Sequence, residues 1–213
     1  MPSKADIAIA ALHPFLIILD QGLEIGDRKA STYLQNECKG KREPWLRSHL
    51  IRVHTLIAIE EYNEITDAEI ETPENPIMSA LHCKFGSYQI KVQKMGENGQ
   101  LRPTPTLSSQ QFYEQTLMYD FVESSPDAAL ENLIILWHSD DDGSYNGKLT
   151  LFKPTRGGKS QSDLEWEWRS DVIYTHELQT SLTEPGALAE IEPKLPFEQE
   201  QKTKKKASSP DDE

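Results

Sequence analysis

Apolar residues in the first third of the chain recur at spacings of three and four, which is the pattern of amphipathic helices. The clearest case begins at Pro44 and extends to about residue 62. Its apolar positions are Trp45, Leu46, Leu50, Val53, Leu56 and Ile57. Together they form a broad apolar face, which predicts a helix that packs against a sheet.

An earlier helix is predicted to begin at Pro14, since proline suits the first turn of a helix, and to end at Gly22. Residues 5–12 can form a short helix before it, and residues 27–40 carry a weaker helical pattern. His13-Pro14 separates the apolar clusters of residues 7–12 and 15–19. No apolar stretch therefore reaches the roughly 18 residues that a membrane span needs, and we expect no membrane association.

Beyond residue 80 the apolar period changes to two, which is the period of β-strands. Residues 81–85 and 88–95 read as a hairpin with its turn at Gly86-Ser87, and residues 133–137 read as a central strand buried on both faces. Further strands are predicted over residues 148–153, 164–168 and 171–178. Helices followed by strands predict an α+β fold: N-terminal helices packed on a mostly antiparallel meander.

The predicted domain is single and covers residues 1–180, with a helical part over about 5–65 and a sheet over about 80–178. Residues 181–213 contain four prolines, a run of lysines and few apolar residues. Such a segment buries too little surface to offset the entropy of ordering, so we expect a disordered tail.

Composition narrows the classes of function. The chain has 213 residues and a formal net charge of −13, which argues against a protein that coats nucleic acid with basic residues. Two cysteines, Cys38 and Cys83, exclude a disulfide-dense scaffold and favour reduced thiols in a cytoplasm. No complete catalytic motif is present, and we predict no cofactor and no resident metal.

The charge is nevertheless segregated along the chain. Residues 28–52 contain seven bases and two acids, whereas residues 103–147 contain eight acids and no base. This pattern favours a basic surface for an acidic partner. Its candidate binding residues are Arg28, Lys29, Lys41, Arg42, Arg47 and Arg52.

Asp140-Asp141-Asp142-Gly143, after the predicted central strand, is the sharpest candidate for chemistry. Carboxylates there could hold Mg²⁺ or Ca²⁺, although Tyr145 and Leu151 stand where a calcium-binding EF-hand loop needs glycine and glutamate. A polar turn between two strands explains the same residues. His138 is a conceivable general base, and Lys148 completes the candidate catalytic set of His138, Asp140, Asp142 and Lys148.

Several segments resemble a set of uncharacterised bacterial proteins that are often encoded beside predicted zinc peptidases and helix-turn-helix regulators. The segments are Leu12-His13-Pro14, Glu43-Pro44-Trp45, residues 88–92, and residues 132–137 followed by an Asp-Asp-Gly turn. The resemblance covers about residues 12–170 and rests on structural motifs. It implies a bacterial, cytoplasmic setting but no activity, and no site residue follows from it.

Three functions follow as expectations. The first is a non-enzymatic interaction or regulatory protein, an accessory or antitoxin-like partner of another bacterial protein. The second is a metal-dependent nuclease or hydrolase that uses the Asp140–Asp142 turn. The third is DNA binding through the basic segment of residues 28–52, with an affinity that falls steeply with salt.

Overall fold

The computed structural model describes residues 2–39, 44–66, 69–72, 80–96, 101, 106–115, 130–158 and 160–172. All of them lie in a compact unit that spans Met1–Ile173. Within this part, two N-terminal helices precede a six-stranded, mostly antiparallel sheet, which confirms the predicted α+β fold. The predicted tail, residues 181–213, lies outside the described residues, as does the end of the strand predicted over 171–178.

Helix α1 (Lys4–Glu37) is continuous. Ser3 caps its N-terminus: the Ser3 hydroxyl oxygen accepts from the backbone N–H of Asp6, and the Asp6 carboxylate accepts from the backbone N–H of Ser3. The predicted start at Pro14 and end at Gly22 are wrong, because both residues lie inside α1. Fully buried side chains on both sides of Pro14 outweigh the roughly 3 kcal/mol that an internal proline costs.

Two glycines of α1 allow a close approach of helix α2 (Pro44–Thr66), which begins at the predicted residue. A Cβ atom on Gly26 would lie 2.6 Å from the carbonyl oxygen of Ile51, and one on Gly22 would lie 3.2 Å from Cγ2 of Thr55. The Thr55 hydroxyl also lies 3.2 Å from the Gly22 carbonyl oxygen, to which it can donate. Gly22 therefore serves helix packing and does not end the helix.

The strands form one sheet in chain order. They are β1 (Ile70–Glu71), β2 (Leu81–Phe85), β3 (Tyr88–Lys94), β4 (Glu131–Ser139), β5 (Tyr145–Arg156) and β6 (Glu165–Val172). All neighbours are antiparallel except β3 and β4, which are parallel. A parallel pair needs a crossover, and residues 95–130 supply it with helix α3 (Leu107–Tyr113).

The two faces of the sheet have different covers. On one face, α1 contacts β5 and β6, Phe15 of α1 lies 5.8 Å from Phe85 between ring centroids, and the Tyr145 hydroxyl donates to Asp20. The other face carries α3. Its core cluster consists of Met95, Leu101, Phe112, Tyr113, Ile134, Leu136, Phe152 and Leu164.

Helix α1 is long and apolar enough, by length and composition, to cross a membrane. Because it is continuous through Pro14, the interruption there no longer argues against a span. Half of its most apolar 18-residue window is buried inside the protein, and a buried core helix meets the same criteria.

Both cysteines are free thiols. Cys38 follows the end of α1 and is partly exposed, whereas Cys83 on β2 is buried. Burial raises the pKa of the Cys83 thiol, so this residue stays protonated and behaves as part of the core.

Candidate functional site

The Asp140–Asp142 segment forms a hydrogen-bonded turn between β4 and β5. The Asp140 backbone N–H donates to the Ser144 carbonyl at 2.9 Å, and the Gly143 N–H donates to the Asp140 carbonyl at 2.9 Å. The Asp142 carboxylate accepts from the Ser144 backbone N–H at 2.9 Å and from the Ser144 hydroxyl. These contacts are those of an Asx-type turn, in which the carboxylate stabilises the local backbone.

The turn is also tied to the helices. Arg47 Nη1 on α2 lies 3.6 Å from Asp142 Oδ2, and the guanidinium of Arg47 also donates to Asp27 Oδ1 on α1 at 2.9 and 3.0 Å. No group of three His, Cys, Asp or Glu side chains suited to a metal occurs in the described ranges, which include the whole turn. The ligand set that a metal-dependent nuclease or hydrolase needs is therefore not assembled there.

His138 belongs to a separate network on the sheet. Its Nε2 atom lies 2.8 Å from the Thr150 hydroxyl, which itself donates to Asp171 Oδ1 at 2.8 Å. Because Thr150 has a single hydroxyl proton, His138 must donate through Nε2–H and cannot act as a base at that atom. Burial lowers the pKa of His138, Asp171 opposes this effect, and the exposed Lys148 adds to it.

The predicted basic surface is partly used inside the protein. Arg28 is exposed and Lys29 is half-buried on α1, while Lys41 and Arg42 lie outside the described residues. The Arg47 side chain is only 14% exposed, since it bonds Asp27 and the Ser31 hydroxyl. Arg52 is half-buried, and burial lowers its pKa. Fewer free cations thus remain for phosphate than the sequence suggests.

The structure buries a set of polar residues on one face of the sheet. Lys91 and Gln89 alternate with apolar neighbours on β3, and both are buried on the sheet face that carries α3. The buried polar residues of the sheet are His82, Gln89, Lys91, Asn132 and Thr150. Buried polar side chains require partners, so this face is an unusual place to concentrate them.

Lys91 is the central charge of this face and is 6% exposed. Its Nζ atom lies 3.3 Å from the Ser109 hydroxyl oxygen, and 5.6 and 5.9 Å from the ring centroids of Tyr113 and Phe112. Burial lowers the pKa of Lys91 to about 8. Two aromatic faces and one hydroxyl stabilise the cation only in part.

Helix α3 is held against this face by side-chain amides. Asn132 Nδ2 donates to the Phe112 carbonyl at 2.8 Å, and Gln115 Nε2 donates to the carbonyls of Asn132 and Pro154. Gln115 Oε1 accepts from the Asn132 backbone N–H at 2.8 Å. These bonds fix the aromatic residues of α3 over β3 and β4.

A second feature is the outer face of α2, defined as Leu46, Leu50, Val53 and Ile57. At about 100° of rotation per residue these four lie about 100–160° around α2 from Ile51, which packs against α1. Each of the four is only partly buried. Their spacing of four, three and four residues is that of a coiled-coil seam.

The helical layer also carries most of the exposed large apolar side chains in the described part of the chain. Four of the five are on α1 or α2: Ile7, Tyr33, Trp45 and Ile65. Trp45 and Ile65, 70% and 56% exposed, lie at opposite ends of α2. Trp45 and Ile65 therefore do not form one patch, and singly exposed apolar side chains are normal on a protein surface.

No protein-family model, no curated protein and no solved structure matches the chain.

Proposed function

We propose that the protein is a non-enzymatic interaction protein that binds another protein through the outer face of α2. The supporting observation is the aliphatic seam of Leu46, Leu50, Val53 and Ile57, which is partly exposed and lies away from the side that packs on α1. Anchors at this spacing are the ones by which an amphipathic helix enters a groove or pairs with another helix.

The partner surface that suits this face is an aliphatic helix with basic flanks. Glu60, Glu61 and Glu64 follow the seam along α2. Burial raises the pKa of Glu61, the neighbouring charge of Glu64 raises it further, and Lys29 opposes both effects. Lys or Arg on a partner would relieve this repulsion and would also suit a chain of net charge −13.

The two alternative functions have weaker support. The Asp142 carboxylate is occupied by Arg47 and Ser144, which removes it from a metal-binding role. Arg47 in turn is withdrawn from a DNA-binding surface by Asp27. An interaction role does not require either residue to be free.

The setting proposed with this function is the bacterial cytoplasm, with the protein acting as an accessory, regulatory or antitoxin-like partner. The resemblance given above supports this setting, as do the two free thiols. The partner would be another protein from the same cell.

Affinity capture from the protein's own host tests the proposal. A charge in the seam, as in Leu50→Asp, should abolish retention of a partner because a carboxylate would be desolvated in an apolar contact. The matched control is Lys148→Asp, an exposed position on β5. Retention of one protein by wild type and control but not by Leu50→Asp supports the proposal. No stable partner, or equal retention by all three, contradicts it.

A further inference from the structure

Two nitrogen-bearing side chains lie opposite one another on the sheet face that α3 covers. His82 of β2 and Lys91 of β3 are direct partners in the antiparallel ladder. Residues opposite each other in such a ladder have Cβ atoms about 5 Å apart and project to the same face. The two side chains therefore share one buried region.

Lys91 differs from two half-buried lysines of the sheet that pair with carboxylates. Lys84 lies 3.2 Å from Glu71, and Lys153 lies 3.3 Å from Glu131 and 3.1 Å from Glu167. No carboxylate of the described residues lies within 4.0 Å of Lys91, although Lys91 is nearly inaccessible to water. A buried ammonium without a counter-ion is costly, so an anion beside Lys91 would be stabilising.

His82 is the second buried side chain of this region. Its side chain is 2% exposed, and neither ring nitrogen has a hydrogen-bond partner among the described residues. The ring packs edge-on against Phe112 at 5.8 Å between centroids. Each neutral imidazole has one N–H to donate, and here that donor is unused.

We propose that Lys91 and His82 together bind a carboxylate beneath α3. A carboxylate offers two oxygens: one can accept from the Lys91 ammonium and the other from the His82 N–H. The Lys91 ammonium, which already donates to Ser109, would then gain a counter-ion, and the His82 N–H would gain an acceptor. The rings of Phe112 and Tyr113 would shield the contact from water. The carboxylate can belong to a small molecule or to an acidic side chain of this protein, and the experiment separates these sources.

The experiment uses the full chain, dialysed into chloride buffer. Acetate and succinate are titrated by calorimetry into wild type, Lys91→Met, His82→Phe and the control Lys84→Met. Lys84 is a fair control because it is on the same sheet but already has Glu71 as its partner. The pH titration of the Lys91 side chain, followed by NMR of its ε-carbon in wild type, is the second readout.

Binding of either probe to wild type and to Lys84→Met, weakened at least about tenfold in Lys91→Met and His82→Phe, supports a small-molecule carboxylate. If neither probe binds and Lys91 titrates at about 10.4 or above, the ordinary value for lysine, the carboxylate is the protein's own. If neither probe binds and Lys91 titrates near 8, the region holds no carboxylate and the proposal fails. Equal binding to Lys91→Met also overturns it.

Discussion

The guanidinium of Arg47 lies 3.6 Å from the carboxylate of Asp142. The two residues belonged to different candidate sites in the sequence, one to the basic segment and the other to the Asp turn. In the folded protein they pair with each other, and Asp27 and Ser31 complete the contacts of Arg47. A charged residue chosen from composition is available to a ligand only if the fold does not already pair it.

Replacing Arg47 with methionine should lower the free energy of unfolding by about 1–3 kcal/mol. The substitution removes charge-assisted hydrogen bonds to Asp27 and leaves that partly buried carboxylate unpaired. Urea denaturation measures the change. Arg28→Met, at an exposed position of α1, should change stability by no more than about 0.5 kcal/mol. Equal effects of the two substitutions would show that the Arg47 contacts add no stability.

The packing of α1 on α2 predicts a graded response at two glycines. Alanine is the better helix former by about 1 kcal/mol, so an exposed helical glycine gains stability when it is replaced. At Gly26 the added Cβ would meet the Ile51 carbonyl oxygen at 2.6 Å, and the backbones must separate. Gly26→Ala should therefore destabilise the protein by about 1–3 kcal/mol.

Gly22→Ala is the comparison variant, because its Cβ would meet the Thr55 methyl group at 3.2 Å, a milder contact. In thermal unfolding, both wild type and Gly22→Ala should be more stable than Gly26→Ala. If Gly26→Ala equals or exceeds wild type in stability, the close contact of α1 and α2 at Ile51 is wrong.

The fold was predictable where local periodicity and burial agree. The three- and four-residue spacing predicted α2 from Pro44, and alternation predicted β2 and β3 with the turn at Gly86-Ser87. Pro14 and Gly22 misled the prediction of α1, because the forces that keep them helical come from packing against distant residues. The parallel pairing of β3 with β4 depends on the crossover between them. The sequence of neither strand alone predicts this direction.

The candidate site was harder to predict for the same reason. Gln89, Lys91 and Gln93 alternate as residues of a water-exposed strand face do, and only the position of α3 turns that face into an interior. Phe112 and Tyr113 did indicate a buried contact, since two adjacent aromatic residues on a short helix are expected to pack against another part of the protein. The surface that they cover could not be named without the fold.

The burial of His82 predicts a specific loss of stability in acid. Burial, together with the charge of Lys91, lowers the pKa of His82 to about 3 from its ordinary 6.5. Between these values the unfolded state binds the proton and the folded state does not, so stability is complete above pH 6.5 and declines as pH falls towards 3. From pH 7 to pH 5 the contribution of His82 should fall by about 2 kcal/mol.

Urea denaturation of wild type and His82→Phe at both pH values, in chloride without added carboxylate, measures this effect. Acids and other histidines titrate in both proteins, so the difference between the two curves isolates His82. The wild type should lose about 2 kcal/mol more than the variant between pH 7 and pH 5. Parallel losses would mean that His82 is solvated or paired in the folded state.

The proposal that α2 binds a partner is tested most directly by a photo-crosslinking residue placed at Val53, in the centre of the seam, and activated in the host cell. The same residue at position 148 on β5 is the control, and circular dichroism confirms that both variants fold. We predict a covalent adduct with one protein from position 53, absent from position 148, and lost when Leu50→Asp is added. No adduct at position 53, or the same adducts at both positions, would contradict a role for the outer face of α2.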